Sequence, residues 1–321
     1  MNKVDTPIAL FMYNREATLV EVLNVLVHFS PPILFLIGDG PKEHVSNDRK
    51  KVARAREIAL SRLKNHNLDV KFAPKNLGLL DSFVGGFEYV FSKVDRCIFL
   101  EDDTVPSPEF FHFCDELLEV YKSNPRVTSI SGTNLLGKES ETLLGIESET
   151  SFYFSRYPQI WGWATWRHKW ISNYDSSIQD WRLRRGSKKY CRKLGNSDSI
   201  RYWSKKFDSI VNGSLNTWDA QVAHMFFYND FLSVIPSSNL VTNIGFDNPD
   251  ATNTRGRSGI ANLTRHGIKF PLAYPELVEP NAEYDAILSR RYSTPSLFKR
   301  AISKLLRITK AQKMSKRIVY F

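Results

Sequence analysis

Cysteine is scarce in this chain of 321 residues: Cys97, Cys114 and Cys191 are all there is. They form no CxxC pair and cannot all pair with one another, which argues against a disulfide framework or a zinc site and fits a reducing compartment. Long hydrophobic runs are missing too. None approaches the roughly 20 apolar residues that would cross a bilayer. The apolar run in the opening MNKVDTPIALFMYNREAT follows the acidic Asp5 and is short even for a signal-peptide core, so it reads as a first strand of a cytoplasmic protein. Acidic residues stop at Asp285, and the ten Lys and Arg after it account for the whole formal charge of +10, leaving 34 residues of each sign before it. A neutral body of this kind excludes a protein built to wrap nucleic acid. With 42% hydrophobic and 24% charged residues, a disordered chain or a coiled coil is excluded as well, and the length suits one large domain or two small ones.

What is present is alternation. Apolar PIALFMY is followed by an amphipathic stretch over 16–27, ILFLI by a charged helical stretch over 45–65, DVKFA by a helix over 80–92, and CIFL by a helix over 108–122, before VTSIS. This pattern predicts an α/β fold with a mostly parallel, Rossmann-like central sheet of short buried strands flanked by helices. Polar residues mark the strand-to-helix junctions: Asn14-Arg15, Asp39-Gly40, Asn76, Glu101-Asp102-Asp103 and Asn134. In such a sheet ligands bind outside the carboxyl ends of the strands, where these residues lie. After Asn134 come the polar GKESETLLGIESETS, a strand FYFSR, a Trp-rich segment and basic, aromatic helical material, which predict an α+β half. Residues 1–135 and 136–275 are thus read as two halves of a single domain, and 286–321 as a basic tail. In that tail a helical wheel over 297–310 puts Leu297, Phe298, Ala301, Ile302, Leu305, Leu306 and Ile308 on one half and five cations on the other.

The sharpest chemical signal is Cys97-Ile98-Phe99-Leu100-Glu101-Asp102-Asp103, an apolar strand ending in three carboxylates. Acids side by side repel one another, and a hard divalent cation relieves that repulsion. Mg²⁺ or Mn²⁺ shares its oxygen ligands with substrate phosphates, so one or two protein carboxylates suffice. The same acids would also serve simply to solvate a strand end and cap the helix that follows. Asp39, after the second strand, suits a hydrogen bond from a nucleobase or ribose, or a plain Asp-Gly turn. Arg15 suits phosphate, or a solvated helix start. Five tryptophans between Trp161 and Trp181 offer flat faces to sugar rings, Trp161 and Trp163 beside Gly162 foremost, though large aromatics are more often core. The polar, cationic segment from Asn243 to Arg257 suits a lid over diphosphate or a mobile loop.

These residues resemble a family. The EDD strand end, the prolines Pro106 and Pro108, and Phe110-Phe111 at a helix start are similar to the centre of GT-A-fold glycosyltransferases of the N-acetylglucosaminyltransferase I type. MYNR and FLIGDG resemble that family's first and second strand ends, Ile160-Trp161-Gly162-Trp163-Ala164 its Gly-Trp segment near the sugar and acceptor, and Asn216-Thr217-Trp218-Asp219 its Trp-Asp motif. The resemblance spans roughly residues 5 to 250 and implies a GT-A-like fold and an inverting transferase, hexosyl or N-acetylhexosaminyl. It implies a nucleotide-diphosphate sugar as donor, UDP favoured, and a hydroxyl of a glycan or lipid-linked glycan as acceptor, in surface polysaccharide or glycoconjugate synthesis. It further implies Asp103 as ligand of Mn²⁺ or Mg²⁺, and Arg15, Asp39, Glu101, Asp102, Trp161, Gly162 and Trp163 around the donor. Asp219 would be the catalytic base, favoured in its ionised form by the start of the helix TWDAQVAHMFF, while His224 is expected to pack on that helix.

The tail, with apolar residues on one half and cations on the other, predicts attachment to an anionic membrane on its inner face. Packing of that helix on the body would explain its apolar half but not its charge. Two other classes compete with a transferase. A sugar nucleotidyltransferase would carry a Gly-rich, Lys-bearing loop after the first strand, and MYNREAT is not one. A glycan-binding scaffold that keeps the fold without turnover would retain the same acids.

Overall fold

Every position of strand Ile8–Met12 is buried, and its residues divide by parity. Ile8, Leu10 and Met12 belong to one hydrophobic cluster, Ala9 and Phe11 to another. Strands Leu34–Gly38 and Arg96–Glu101 divide the same way, with Leu34, Leu36, Ile98 and Leu100 on one face and Phe35, Ile37, Cys97 and Phe99 on the other. Successive side chains of a strand point to opposite faces, so a strand apolar at every position requires a covering layer on each side. The first face is covered by helices Glu16–Leu26, Asp48–Arg62 and Glu109–Val120, the second by Leu79–Phe91 and Asp219–Asn229. The computed structural model describes residues 1–137, 150–246 and 263–293. The polar stretch after Gly137, residues 247–257 of the cationic segment and the tail expected to be helical over 297–310 lie outside the described residues.

The central sheet has eight strands in the order Leu68–Phe72, Leu34–Gly38, Ile8–Met12, Arg96–Glu101, Trp163–Trp166, Val127–Ser131, Leu232–Pro236, Phe152–Ser155. The first four are parallel, as the alternating pattern predicts. The chain runs outward from Ile8–Met12 in one direction and then returns to its other side with Arg96–Glu101, which makes the carboxyl edge between them a topological switch point. The second half is mixed: Trp163–Trp166 runs antiparallel between Arg96–Glu101 and Val127–Ser131, pairing Trp163 with both Phe99 and Ser131. Residues Trp163–Trp166 of the Trp-rich segment are therefore a strand of the main sheet.

A second core sits under the later strands, where Trp181, Tyr190, Trp203 and Phe207 pack with Tyr153, Ile235 and Tyr284. It corrects the boundary expected for the tail. Helix Ala282–Ser293 buries Tyr284 and Leu288 completely, so residues just past 285 belong to the body. Asp285 on this helix accepts hydrogen bonds from Ser155 Oγ at 2.6 Å and from the Arg156 backbone N–H at 3.2 Å. Burial nevertheless pushes its carboxyl up to about 6, from an ordinary value of about 3.9. The native state then binds a proton that the unfolded state has lost, so the stabilisation is complete below about pH 4 and disappears as pH rises through 6. The change is worth about 3 kcal/mol. Comparison of unfolding free energies for wild type and Asp285→Asn between pH 4 and 7 should show that component in wild type alone, and parallel profiles would refute it.

Candidate active site

Strand ends Met12, Gly38 and Glu101 meet at one edge of the sheet, at the mouth of a cavity of about 310 Å³. Of the residues singled out in the sequence, Arg15, Asp39, Glu101, Asp102, Asp103, Trp161 and Asp219 line it. After strand Arg96–Glu101 the chain turns sharply. The Glu101 N–H donates to Thr104 Oγ1 at 2.8 Å, and that hydroxyl donates back to the Glu101 carbonyl at 3.1 Å. The turn sets three carboxylates into three environments. Asp102 receives the Tyr13 N–H at 3.0 Å and one end of the Arg15 guanidinium. Asp103 receives the other end of Arg15 on Oδ2 at 2.5 Å, while its Oδ1 is buried without a hydrogen-bond partner among the described residues. Glu101 faces the cavity.

Their electrostatics follow from this packing. Burial, reinforced by Asp103 and opposed by Arg15, holds the Glu101 carboxyl well above its ordinary value. Burial raises Asp102 also, against the pull of Arg15. Burial works against the Arg15 charge in turn, but the Asp102 and Asp103 carboxylates outweigh it and keep the guanidinium firmly protonated. Gly245 closes the acid turn from above. The Ile244 N–H donates to the Asp103 carbonyl at 2.9 Å, and a Cβ on Gly245 would fall 2.0 Å from Asp103 Oδ2, so only glycine lets the chain pass.

Asp219 reaches the cavity from the opposite wall, at the first position of helix Asp219–Asn229. The residues before it anchor the helix start. Asn216 Oδ1 accepts the Leu80 N–H at 3.1 Å, and Trp218 is buried against Phe83, ring to ring at 4.9 Å. Asp219 Oδ1 accepts the Ala220 N–H at 2.8 Å and the Thr217 hydroxyl. Oδ2 accepts no hydrogen bond from the described residues, so a carboxylate with a free oxygen lies on the cavity that the acid turn also lines.

No protein-family model matches the sequence, and no curated protein sequence matches it either. Solved structures similar to the chain include glycosyltransferases. A mannosyltransferase of Pyrobaculum calidifontis, in complex with GDP-Man and Mn²⁺, is 9% identical with a TM-score of 0.36, over 71% of this chain and 70% of that one. GalNAc-T7 with UDP, GalNAc and Mn²⁺ is 12% identical with a TM-score of 0.43, over 73% of this chain but only 42% of that one. TarS of S. aureus, residues 1–349, is 11% identical with a TM-score of 0.40, over 76% and 61%. At such distances the chemistry of this chain rests on its own residues.

Several of those residues stand differently from the sequence reading. The Arg15 guanidinium is bound to Asp102 and Asp103. Asp39 has both oxygens engaged, by the N–H groups of Gly40, Leu77 and Gly78 and by Asn76 Nδ2, so it shapes the turn at 76–78 and has no lone pair left over for a base. Trp163 is buried among Phe99, Trp170 and Trp218 and does not line the cavity, because its pairing in the sheet turns it into the second layer. Gly162 serves the backbone: its φ is +63°, and a Cβ there would meet Val241 at 2.7 Å. His224 is packed among aromatic rings, as expected.

Thr217, Phe83 and Lys42 also line the cavity, and the sequence reading gave none of them a role of its own. Thr217 orients Asp219. Phe83, stacked between Phe11 at 4.6 Å and Trp218, gives the cavity an apolar wall. Lys42 is an exposed cation on the cavity with no carboxylate in ion-pair contact among the described residues. Its position just after the second strand end, in Gly40-Pro41-Lys42, was a usable signal once Arg15 is known to be committed.

Proposed function

We propose that the chain is an inverting, divalent-metal-dependent glycosyltransferase of the GT-A type. It would move a hexosyl or N-acetylhexosaminyl group from a nucleotide-diphosphate sugar, UDP favoured, to a hydroxyl of a glycan or lipid-linked glycan in surface polysaccharide or glycoconjugate synthesis. One observation carries this reading: a carboxylate with a free oxygen, Asp219, shares a single cavity with a buried acid turn at the switch point of the sheet. The residues present fit a metal. Asp103 Oδ1 is a buried hard donor without a partner. No cluster of three metal-ligating side chains exists among the described residues, so an ion there would complete its shell from diphosphate and water, as Mn²⁺ and Mg²⁺ do. Asp103 would hold that ion, which when bound neutralises the leaving diphosphate.

The protein's own residues supply the rest. Arg15 holds Asp102 and Asp103 in place. Lys42 is the cation free to meet phosphate oxygens, and Phe83 with Trp161 supplies apolar faces. Thr217 and the Ala220 N–H fix Asp219 so that Oδ2 accepts the proton of the acceptor hydroxyl. The acceptor oxygen then bonds to the anomeric carbon as the bond to the diphosphate oxygen breaks with its electron pair on the opposite face. A single displacement of this kind inverts configuration.

Thermal unfolding with UDP, GDP, dTDP and CMP, each with and without Mn²⁺, tests the reading. A ligand at a hundred times its Kd stabilises by about 2.7 kcal/mol, so one nucleotide should shift unfolding, and only with Mn²⁺. No shift with any of them would favour the glycan-binding scaffold, and inorganic pyrophosphate as a product would favour the nucleotidyltransferase. Attachment to the inner face of the cell membrane is part of the proposal. All three cysteines are free, which suits the cytoplasm. No described helix is long and apolar enough to cross a membrane. Besides the tail, the body offers a basic surface. Residues 182–193 carry seven Lys and Arg and no acid, with Leu183 85% exposed among them, a composition suited to anionic headgroups. Sedimentation with phosphatidylglycerol vesicles but not phosphatidylcholine vesicles is expected, and equal partition to both would count against it.

A further inference from the structure

A second cavity, of about 150 Å³, adjoins the first, and Ile160, Trp161 and Asp219 line both. The two differ in character. The first holds four other carboxylates, whereas Asp219 is the one carboxylate of the second. Around it stand the rings of Tyr157, Trp161, Tyr202 and Trp203 and a single cation, Lys206. Tyr202, Trp203 and Lys206 come from one turn of helix Ser197–Val211, which puts them on neighbouring positions. The ammonium lies 5.4 Å from the Tyr202 ring and 5.7 Å from the Trp203 ring, and no carboxylate pairs with it among the described residues. Burial pushes Lys206 down, and the Asp219 carboxylate together with the Tyr202 hydroxyl more than offsets it, so the ammonium sits above its ordinary value and stays charged.

The rings, the Tyr202 hydroxyl and the charge of Asp219 offset only part of the cost of holding a half-buried ammonium that has no carboxylate in ion-pair contact among the described residues, and an anion brought by a ligand would offset the rest. A neutral sugar would stack on the rings and leave that cost in place; a sugar with an anionic substituent removes it. The aromatic faces suit a pyranose ring, and Asp219 at the shared wall is within reach of an occupant of either cavity. We propose that the second cavity binds the acceptor, and that the acceptor is an acidic saccharide whose carboxylate or phosphate is received by Lys206. This rests on the transferase reading above, because it takes Asp219 to be the base that both substrates approach.

The full-length protein, with UDP and Mn²⁺ present, is titrated with methyl β-glucuronide, methyl glucoside 6-phosphate and neutral methyl β-glucoside, and binding is followed by calorimetry and tryptophan fluorescence. At least one anionic probe should bind about ten- to a hundredfold tighter than the neutral one, the range of a charge-assisted hydrogen bond. Preference for the glucuronide or the phosphate identifies which anion the site takes. Lys206→Met should remove the preference, Lys206→Arg should retain most of it, and both should keep the wild-type unfolding shift with nucleotide and Mn²⁺, which shows that the fold and the first cavity are intact. Equal binding of all three probes, no binding of any, or a preference that survives Lys206→Met would overturn the proposal. Loss of the nucleotide shift in wild type, with the Lys206-dependent preference intact, would instead overturn the transferase reading and leave an acidic-sugar site standing.

Discussion

Replacing Asp219 by Asn is expected to lower sugar transfer by about a hundred- to ten-thousandfold, the usual contribution of a positioned general base, while nucleotide binding persists. The substitution is nearly isosteric. Its Oδ1 can still accept from the Ala220 N–H and the Thr217 hydroxyl, so the start of helix Asp219–Asn229 is retained. What disappears is the free oxygen facing the acid turn, because an amide nitrogen there cannot take a proton from the acceptor. The loss should therefore fall on kcat, with the donor KM little changed. Full turnover in Asp219→Asn, or retention of anomeric configuration in the product, would remove Asp219 from its role.

The second large effect is expected at Asp103. In Asp103→Asn the Mn²⁺-dependent unfolding shift with nucleotide should vanish, a loss of about 2.7 kcal/mol at a ligand concentration a hundred times Kd. The reason is local. Asp103 Oδ1 is the buried acceptor without a partner, and an amide at that position provides a neutral ligand in place of a charged one. The fold itself should survive, since Arg15 keeps Asp102 as a partner. Asp102→Asn serves as the comparison: it removes the Arg15 contact but not the free oxygen, and should weaken the metal-dependent shift without abolishing it. A shift of wild-type size in Asp103→Asn would refute the assignment of the metal ligand.

The acids at 101–103 were legible because an apolar strand followed at once by carboxylates places them at a sheet edge whatever the rest of the chain does. Asp219 was legible through the Thr217-Trp218-Asp219 resemblance and through its place at a helix start. Trp161 and Trp163 were indistinguishable in the sequence, flanking Gly162 alike. Pairing of Trp163 with Phe99 and Ser131 sends it into a layer of aromatic rings, while Trp161, just before the strand, stays at the cavity. Arg15 and Asp39 were placed at the right edge, but their protein partners at 102–103 and 76–78 gave no local signal, since only the parallel sheet brings them together. Lys206 gave no signal: helix Ser197–Val211 carries three cations, and nothing local tells which of them lies beside Asp219.

By itself the sequence determined the succession of strands and helices, the two-sided burial of the first strands and the carboxylates at their ends, because hydrophobic period and strand termination are local properties of the chain. Only the tertiary structure decided which oxygens remain free. Whether a carboxylate is spent on a neighbour, like Asp39, shared with a guanidinium, like Asp102, or left with an unpaired oxygen, like Asp103 and Asp219, depends on contacts between segments far apart in sequence. Those contacts are set by strand register and layer packing, and a buried polar atom acquires its chemistry from whichever partners that packing supplies or withholds.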